Sequence, residues 1–215
     1  MEIFYHLWKH TFFWEKFDEF HSFASELNHA ADVIVLSETC FSANTCHDVQ
    51  GHTGFHTYRA DKTRGGVSVF IRNCYTSTNM ANFSVCHAYS EINVVKVSLL
   101  NNWTVIIFGV YRPPHKSKIL KFMIKLNEIL SWTTSQTGHV FIVGDNNINL
   151  LDPIAIENDF INNCHSNSLI PLIKKPTHNA NNNPSIIDHE VVVANIFILE
   201  MANLSKYMVQ GKNRK

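Results

Sequence analysis

Charge is scarce in this sequence and leans to neither sign. Only 17% of the 215 residues are charged, and 18 basic side chains balance 18 acidic ones. Net charge therefore advertises no strongly basic nucleic-acid binder, although a local basic groove is compatible with the balance. CxxC pairs are missing as well. The five cysteines, at positions 40, 46, 74, 86 and 164, are odd in number and read as reduced intracellular thiols rather than a disulfide framework. The 13 histidines show no repeated metal-ligand spacing and read as scattered surface and core residues. No apolar run approaches the length of a membrane span. The first residues are aromatic, with Phe4, Tyr5, Trp8, Phe12, Phe13 and Trp14, but Glu2, Lys9, Glu15 and Lys16 leave no uncharged stretch long enough for a secretory signal. Without such a signal the sequons at Asn82, Asn102 and Asn203 mean little. The expected location is intracellular, nuclear or cytoplasmic, neither secreted nor on a membrane. Internal repeats and interdomain linkers are also lacking. One α/β domain with a sizeable core is the reading that length supports.

What is present is a set of apolar runs that end in polar residues. Val140 to Val143 has no polar alternation and predicts a strand buried on both faces, followed by Gly144, Asp145, Asn146 and Asn147. In open α/β sheets chemistry collects at the carboxyl ends of such strands. Asp145 and Asn147, two apart, project to one side if the extended conformation persists. The acid suits orienting a water and the amide suits donating to an anionic oxygen. Alone, the stretch is equally an Asx-rich turn. Asp32 to Thr39 predicts a second buried strand, ending in Glu38. If both strands share a sheet system, two hard carboxylates open on one mouth, a donor set suited to Mg²⁺.

Other elements frame these two. Phe17, Phe20, Phe23, Ala24 and Leu27 recur at helical spacing, giving a helix to about Asn28. Arg64-Gly65-Gly66 turns into the alternating strand Val67–Ile71. Ile92–Leu99 and Trp103–Val110 predict a hairpin across Asn101-Asn102. The second of these strands exits into Tyr111-Arg112-Pro113-Pro114, where the prolines stop the ladder and present a phenol and a guanidinium, both phosphate donors. A surface Tyr-Arg before a turn is the plainer alternative. Ile119 to Trp132 predicts a helix with Ile119, Phe122, Met123, Leu126, Ile129 and Leu130 inward, and Pro153 to about Cys164 another. Lys174 to Pro184, with Thr177, reads as a loop leading to Asp188-His189.

Together, "DVIVLSETCFS", "YRADKTRGGVSVFIR", "VIIFGVYRPPH", "VFIVGDNNINL" and "KPTH…SIIDH" resemble the endonuclease/exonuclease/phosphatase superfamily. The closer resemblance is to the apurinic-endonuclease-like domain of non-LTR retrotransposons. It covers about residues 17–193, leaving 1–16 as an aromatic leader of unknown role and 194–215 as a divergent tail. It implies a four-layer α/β sandwich, two central sheets flanked by helices, with the site at one edge. By family motif Glu38 would hold Mg²⁺ or Mn²⁺, Tyr111 would contact the scissile phosphate, and Asp145 would position the attacking water. Asn147 would hold the phosphate, Arg112 and Thr177 would bind phosphate or support the site, and Asp188 would orient a histidine. The implied reaction is metal-assisted phosphodiester hydrolysis of DNA, with no small-molecule cofactor.

Two family pieces are missing from the 215 residues. No asparagine precedes Asn28, where the family's first strand ends in an Asn motif, and no Ser-Asp-His triplet occurs. Asp188-His189 fits the orienting-aspartate motif rather than that triplet. The chain is thus expected to lack the first and last core strands, as a truncated or decayed copy would. A positioned acid–base group is worth ~10²–10⁴-fold in rate. Impaired or lost cleavage, with DNA binding weak or lost, follows; the alternative is a dead relic that binds nucleic acid or protein. A small-phosphoester phosphatase is a third reading, disfavoured by "YRPP" and "GDNNIN".

Overall fold

Runs of β-branched residues without helical spacing take the extended conformation and pair, and here they build two sheets that face each other. The computed structural model describes residues 3–5, 31–43, 46–59, 65–99, 103–133, 138–151, 155–172, 176, 178–180, 183–185 and 188–193. The first sheet holds β1 (Ile3–Tyr5), β2 (Val33–Ser37), β3 (His52–Thr57) and β4 (Val67–Arg72), in the order β1-β2-β4-β3. The second begins with β5 (Thr76–Asn79), β6 (Val85–His87), β7 (Ser90–Ser98) and β8 (Thr104–Tyr111). Helix α1 (Ile119–Thr133) then returns the chain to β9 (His139–Asp145), which pairs parallel to β8. After helix α2 (Ala155–Ser166) come β10 (Leu169–Pro171), a small antiparallel pair β11 (His178–Ala180) and β12 (Asn183–Ser185), and β13 (Asp188–Val193). The second sheet runs β10-β13-β9-β8-β7-β5, with β6 on β7.

Alternation sorts the side chains into two cores. Val95, Val97, Val105, Ile107 and Val143 of the second sheet meet Val33, Val35, Val69 and Ile71 of the first. The opposite face, with Ile92, Val94, Ile106, Phe108, Val110, Val140 and Ile142, packs on Phe122, Leu126, Ile129 and Leu130 of α1 and on Phe160 and Cys164 of α2. The sheets approach closely at Gly109, where a Cβ would lie 2.7 Å from Val67 Cγ1 and 2.8 Å from Val69 Cγ2. A side chain there would wedge the layers apart.

The expected strands and the two later helices are found within two residues of their predicted bounds, and the inward face of α1 is as read from its spacing, with Met123 half-buried. Three findings amend the expectations. The place expected to lack a first strand holds three residues of the aromatic leader, since Ile3, Phe4 and Tyr5 pair parallel with Val33, Ile34 and Val35. The stretch read as a loop from Lys174 to Pro184 carries the hairpin strands β11 and β12, made by asparagine-rich sequence of low strand propensity. Polar β3 and β5, which lack a buried run, were not expected as strands either. The helix expected from Phe17 and the turn at Asn101-Asn102 lie outside the described residues.

Candidate active site

A row of Cα partners crosses the second sheet at one end: Glu91 of β7 with Tyr111 of β8, Tyr111 with Asp145 of β9, and Asp145 with Asp188 of β13. Glu91, Tyr111 and Asp145 lie at odd positions in line with Val95, Ile107 and Val143, so they belong to the face turned toward the first sheet. The packed valines end and this polar row begins. Glu38 comes to it from the first sheet, one residue past the end of β2, in a left-handed conformation (φ 56°). That turn re-aims its side chain, and the Tyr111 hydroxyl donates to Glu38 Oε1 across the gap between sheets. Burial, and then the neighbouring Glu38, Asp145 and Glu91 carboxylates, push the Tyr111 phenol well above its ordinary value. Tyr111 is therefore a protonated donor at any physiological pH.

The loop after β9 does not stay extended. Asn147 takes a left-handed φ of 48°, which a short polar side chain tolerates. Its backbone N–H donates to Asp145 Oδ1 at 3.0 Å and its side-chain Nδ2 donates to Arg112 O at 2.8 Å. Asp145 and Asn147 are thus linked as an Asx turn at a strand exit, rather than side by side on one extended face. Asp145 is buried, its carboxylate fixed by this turn, while Asn147 is half-exposed.

Arg112 takes a bracing place instead of offering itself to a phosphate. It is 1% exposed. Its Nε donates to Asn146 O at 2.5 Å, Nη2 to Asn147 O at 2.5 Å, and Nη1 to Pro113 O at 2.9 Å and His115 O at 3.3 Å. The planar fork of a guanidinium suits this binding of two turns. Asp188 lies opposite Asp145 in register, and Thr177 falls outside the described residues.

Glu91 and Arg59 are the residues that sequence reasoning passed over. Glu91 is 0% exposed, pairs with Arg59, and accepts the Gly66 N–H. Burial raises its carboxyl above the ordinary range, and the Gly66 N–H and Arg59 pull it back in part. Gly65 and Gly66 both have φ near +95°, and a Cβ on Gly65 would lie 2.6 Å from Glu91 Oε1. The same turn accepts from Thr39 N and Cys40 N, the two residues after Glu38. Glu91 thus fixes the turn that fixes the Glu38 corner. The only signal in sequence was a lone acid just before an alternating apolar strand.

Solved structures share this arrangement of sheets. The endonuclease domain of TRAS1, a telomere-specific non-LTR retrotransposon, superposes with a TM-score of 0.66 at 13% identity, over 84% of this chain and 81% of its own. The 3′ phosphatase NExo from Neisseria, bound to product DNA hairpin, gives 0.64 at 16% identity over 93% and 88%. An endonuclease/exonuclease/phosphatase family protein from Leptotrichia buccalis gives 0.60 at 12% identity over 90% and 88%. The chain has the endonuclease/exonuclease/phosphatase fold. No family model and no curated protein matches the sequence itself. At such identities the fold is what is shared, and the site rests on the residues above. Within this endonuclease/exonuclease/phosphatase fold, Glu38 and Asp145 leave different sheets yet reach the same mouth, bridged by Tyr111.

Proposed function

We propose that this chain is an endonuclease-like phosphodiester hydrolase, of the type found in non-LTR retrotransposons, that acts on DNA with Mg²⁺ or Mn²⁺ and with impaired turnover. The observation that carries it is the carboxylate row with Glu38 bonded to Tyr111 at its centre. Arg59 is paired with Glu91 and Arg112 with backbone carbonyls, so neither guanidinium is offered to a phosphodiester. A polyanion approaching Glu38, Glu91 and Asp145 would be repelled unless a cation intervenes. The donors are hard oxygens, which fits a small divalent cation. Among the described residues no set of three or more His, Cys, Asp and Glu side chains is gathered as a cage. Half-exposed Glu38 would hold the ion through a carboxylate and leave it several waters, as Mg²⁺ prefers. When bound, the ion would neutralise charge on the phosphodiester oxygens.

The chain's own groups divide the remaining work. Protonated Tyr111 donates at the mouth and holds Glu38 in place. Asp145, immobilised by the Asn147 N–H, is placed to orient a water. Asn147 spends one amide hydrogen on Arg112 O and retains a second for an anionic oxygen. Absent from the 215 residues is a Ser-Asp-His triplet, whose histidine would stabilise charge on the reacting phosphorus, and this underlies the impairment.

The test is nicking of supercoiled plasmid by the full chain with Mg²⁺, Mn²⁺ or chelator. Expected is cleavage marginally above buffer, lost in Asp145→Ala and with chelator. Robust turnover would overturn the impaired reading; metal-independent nicking unaffected by Asp145→Ala would overturn the site. A binding-only relic is the second reading, favoured by the same missing triplet, and would retain DNA affinity with no cleavage in either metal.

A further inference from the structure

The sequence is neutral overall, yet two segments that meet beside the mouth carry no acid. Residues 80–90 have neither Asp nor Glu, and residues 112–127 hold Arg112, Lys116, Lys118, Lys121 and Lys125 against none. Arg112 is spent internally and Lys125 pairs with Glu128 on its own helix. Lys118, half-buried, and Lys121, exposed, remain as a basic rim. The two segments are joined, because Lys118 Nζ donates to Ala88 O at 3.3 Å. Both leave the sheet from the polar row: Tyr89 lies two residues before Glu91, Arg112 one after Tyr111, and Glu91 and Tyr111 are Cα partners.

The tip of the β6–β7 hairpin adds a second feature. His87 and Tyr89 stack with ring centroids 5.1 Å apart and planes 27° apart. Tyr89 packs against the outer core, while His87 is exposed. A half-buried phenol thus backs an imidazole whose other face is open to solvent. An aromatic face held flat beside a basic rim is what a nucleic-acid strand uses, phosphates on the lysines and a base on the ring.

We propose that the β6–β7 tip and the turn from His115 to Lys118 form one surface for a DNA strand, with an unpaired base stacked on His87 and adjacent phosphates on Lys118 and Lys121. This rests on the reading of the mouth as a phosphodiester site, but it concerns binding and not cleavage. The surface favours single-stranded or locally opened DNA, because a base inside a duplex has no free face to offer.

The experiment measures binding of the full chain, in chelator, to a fluorescent single-stranded DNA oligonucleotide and to the duplex of the same sequence. His87→Ala should weaken single-strand binding about tenfold, the usual scale for losing one stacked base, and duplex binding less. Lys118→Ala should weaken both and lower the salt dependence by about one ion. His87 is exposed on a hairpin tip, so the melting temperature should not move. Single-strand affinity unchanged in His87→Ala, or duplex and single strand bound alike and equally affected, overturns the surface. Failure of the hydrolase reading looks different: no nicking under any metal, with His87-dependent binding intact, which supports the surface by itself.

Discussion

Replacing Arg112 by Met separates a brace from a phosphate ligand. Met fills a similar volume and removes every donor. Four hydrogen bonds to the carbonyls of Asn146, Asn147, Pro113 and His115 would be lost. A bond to a charged group contributes roughly 1.5–3 kcal/mol, and the sum is not additive. Offsetting this, an apolar replacement no longer buries a charge. The bonds to Asn146 O and Pro113 O are buried, so those two carbonyls would be left without a donor and away from water, while those to Asn147 O and His115 O are part-buried. A net loss of about 3–4 kcal/mol is the result, a large part of the ~5–15 kcal/mol typical of a domain. With a urea slope of about 2 kcal/mol/M, the midpoint should fall by about 1.5–2 M. Arg112→Lys should recover less than half, since one ammonium cannot span both turns. Urea unfolding followed by tryptophan fluorescence measures both variants. A midpoint within about 0.3 M of the parent, with DNA binding reduced, would refute the brace and restore Arg112 as a phosphate donor.

Glu91→Ala should cost about 3–5 kcal/mol in the same assay, because Arg59 and the Gly66 N–H lose a buried partner, and Glu91→Gln less, since its amide oxygen still accepts from Gly66. Stability against pH should show two opposed slopes. His56 is lowered from its ordinary 6.5 by burial, so the folded state binds fewer protons and stability is lost as pH falls below about 6.5; His56→Phe should flatten that limb. Glu91 is raised from 4.5, so its contribution is full below that value and lost as pH rises through the folded value; Glu91→Gln should flatten that one. Among thiols, exposed Cys74 and Cys86 should react with an aromatic disulfide in the folded chain. Buried Cys164, pushed up to about 12 by desolvation, should react only on unfolding, as timed labelling and mass spectrometry would show.

Much of the second sheet was legible because its strands are unbroken β-branched runs flanked by proline, glycine or asparagine. Val140–Val143 and the run from Ile92 are strands in any context that buries them. Two of their polar exits are Tyr111 and Asp145, which pair in register, and Tyr111 bonds Glu38 at the exit of β2 in the first sheet. What the runs could not convey was the backbone after them. Asn147 turns left-handed, so the two-residue spacing that set it beside Asp145 failed, and Glu38 turns left-handed as well. Arg112 looked like a donor because its neighbours looked exposed. Its burial follows from the tertiary meeting of two turns, information that no local window contains. Glu91 was hidden for the same reason: its partners, Arg59 and Gly66, lie 32 and 25 positions upstream (91 − 59 and 91 − 66). Leader residues Ile3–Tyr5 pair in the first sheet although aromatic crowding gave no strand alternation.

The mouth is held by different forces from the body, and this bears on what the site can tolerate. Deep between the sheets the contact is valine on valine, non-directional and close at Gly109. Toward the mouth the sheets are joined by directional bonds: Asn93 Nδ2 to Phe55 O at 2.7 Å, the Gly66 N–H to Glu91, and the Tyr111 hydroxyl to Glu38. Apolar packing fixes the distance between sheets but permits small sliding, whereas these bonds fix the relative position of Glu38 and Asp145. A metal-dependent site needs that position held to fractions of an ångström. Tyr111→Phe should therefore leave the fold largely intact, since the ring still fills its place, while weakening Mn²⁺ binding measured by calorimetry on the chain without DNA. Asn93→Ala, farther back and touching no proposed ligand, should weaken Mn²⁺ by a smaller factor through loosening alone. If Tyr111→Phe leaves Mn²⁺ affinity unchanged while Glu38→Ala abolishes it, Glu38 is held by its own backbone corner, and the bond across the sheets does not set the metal site.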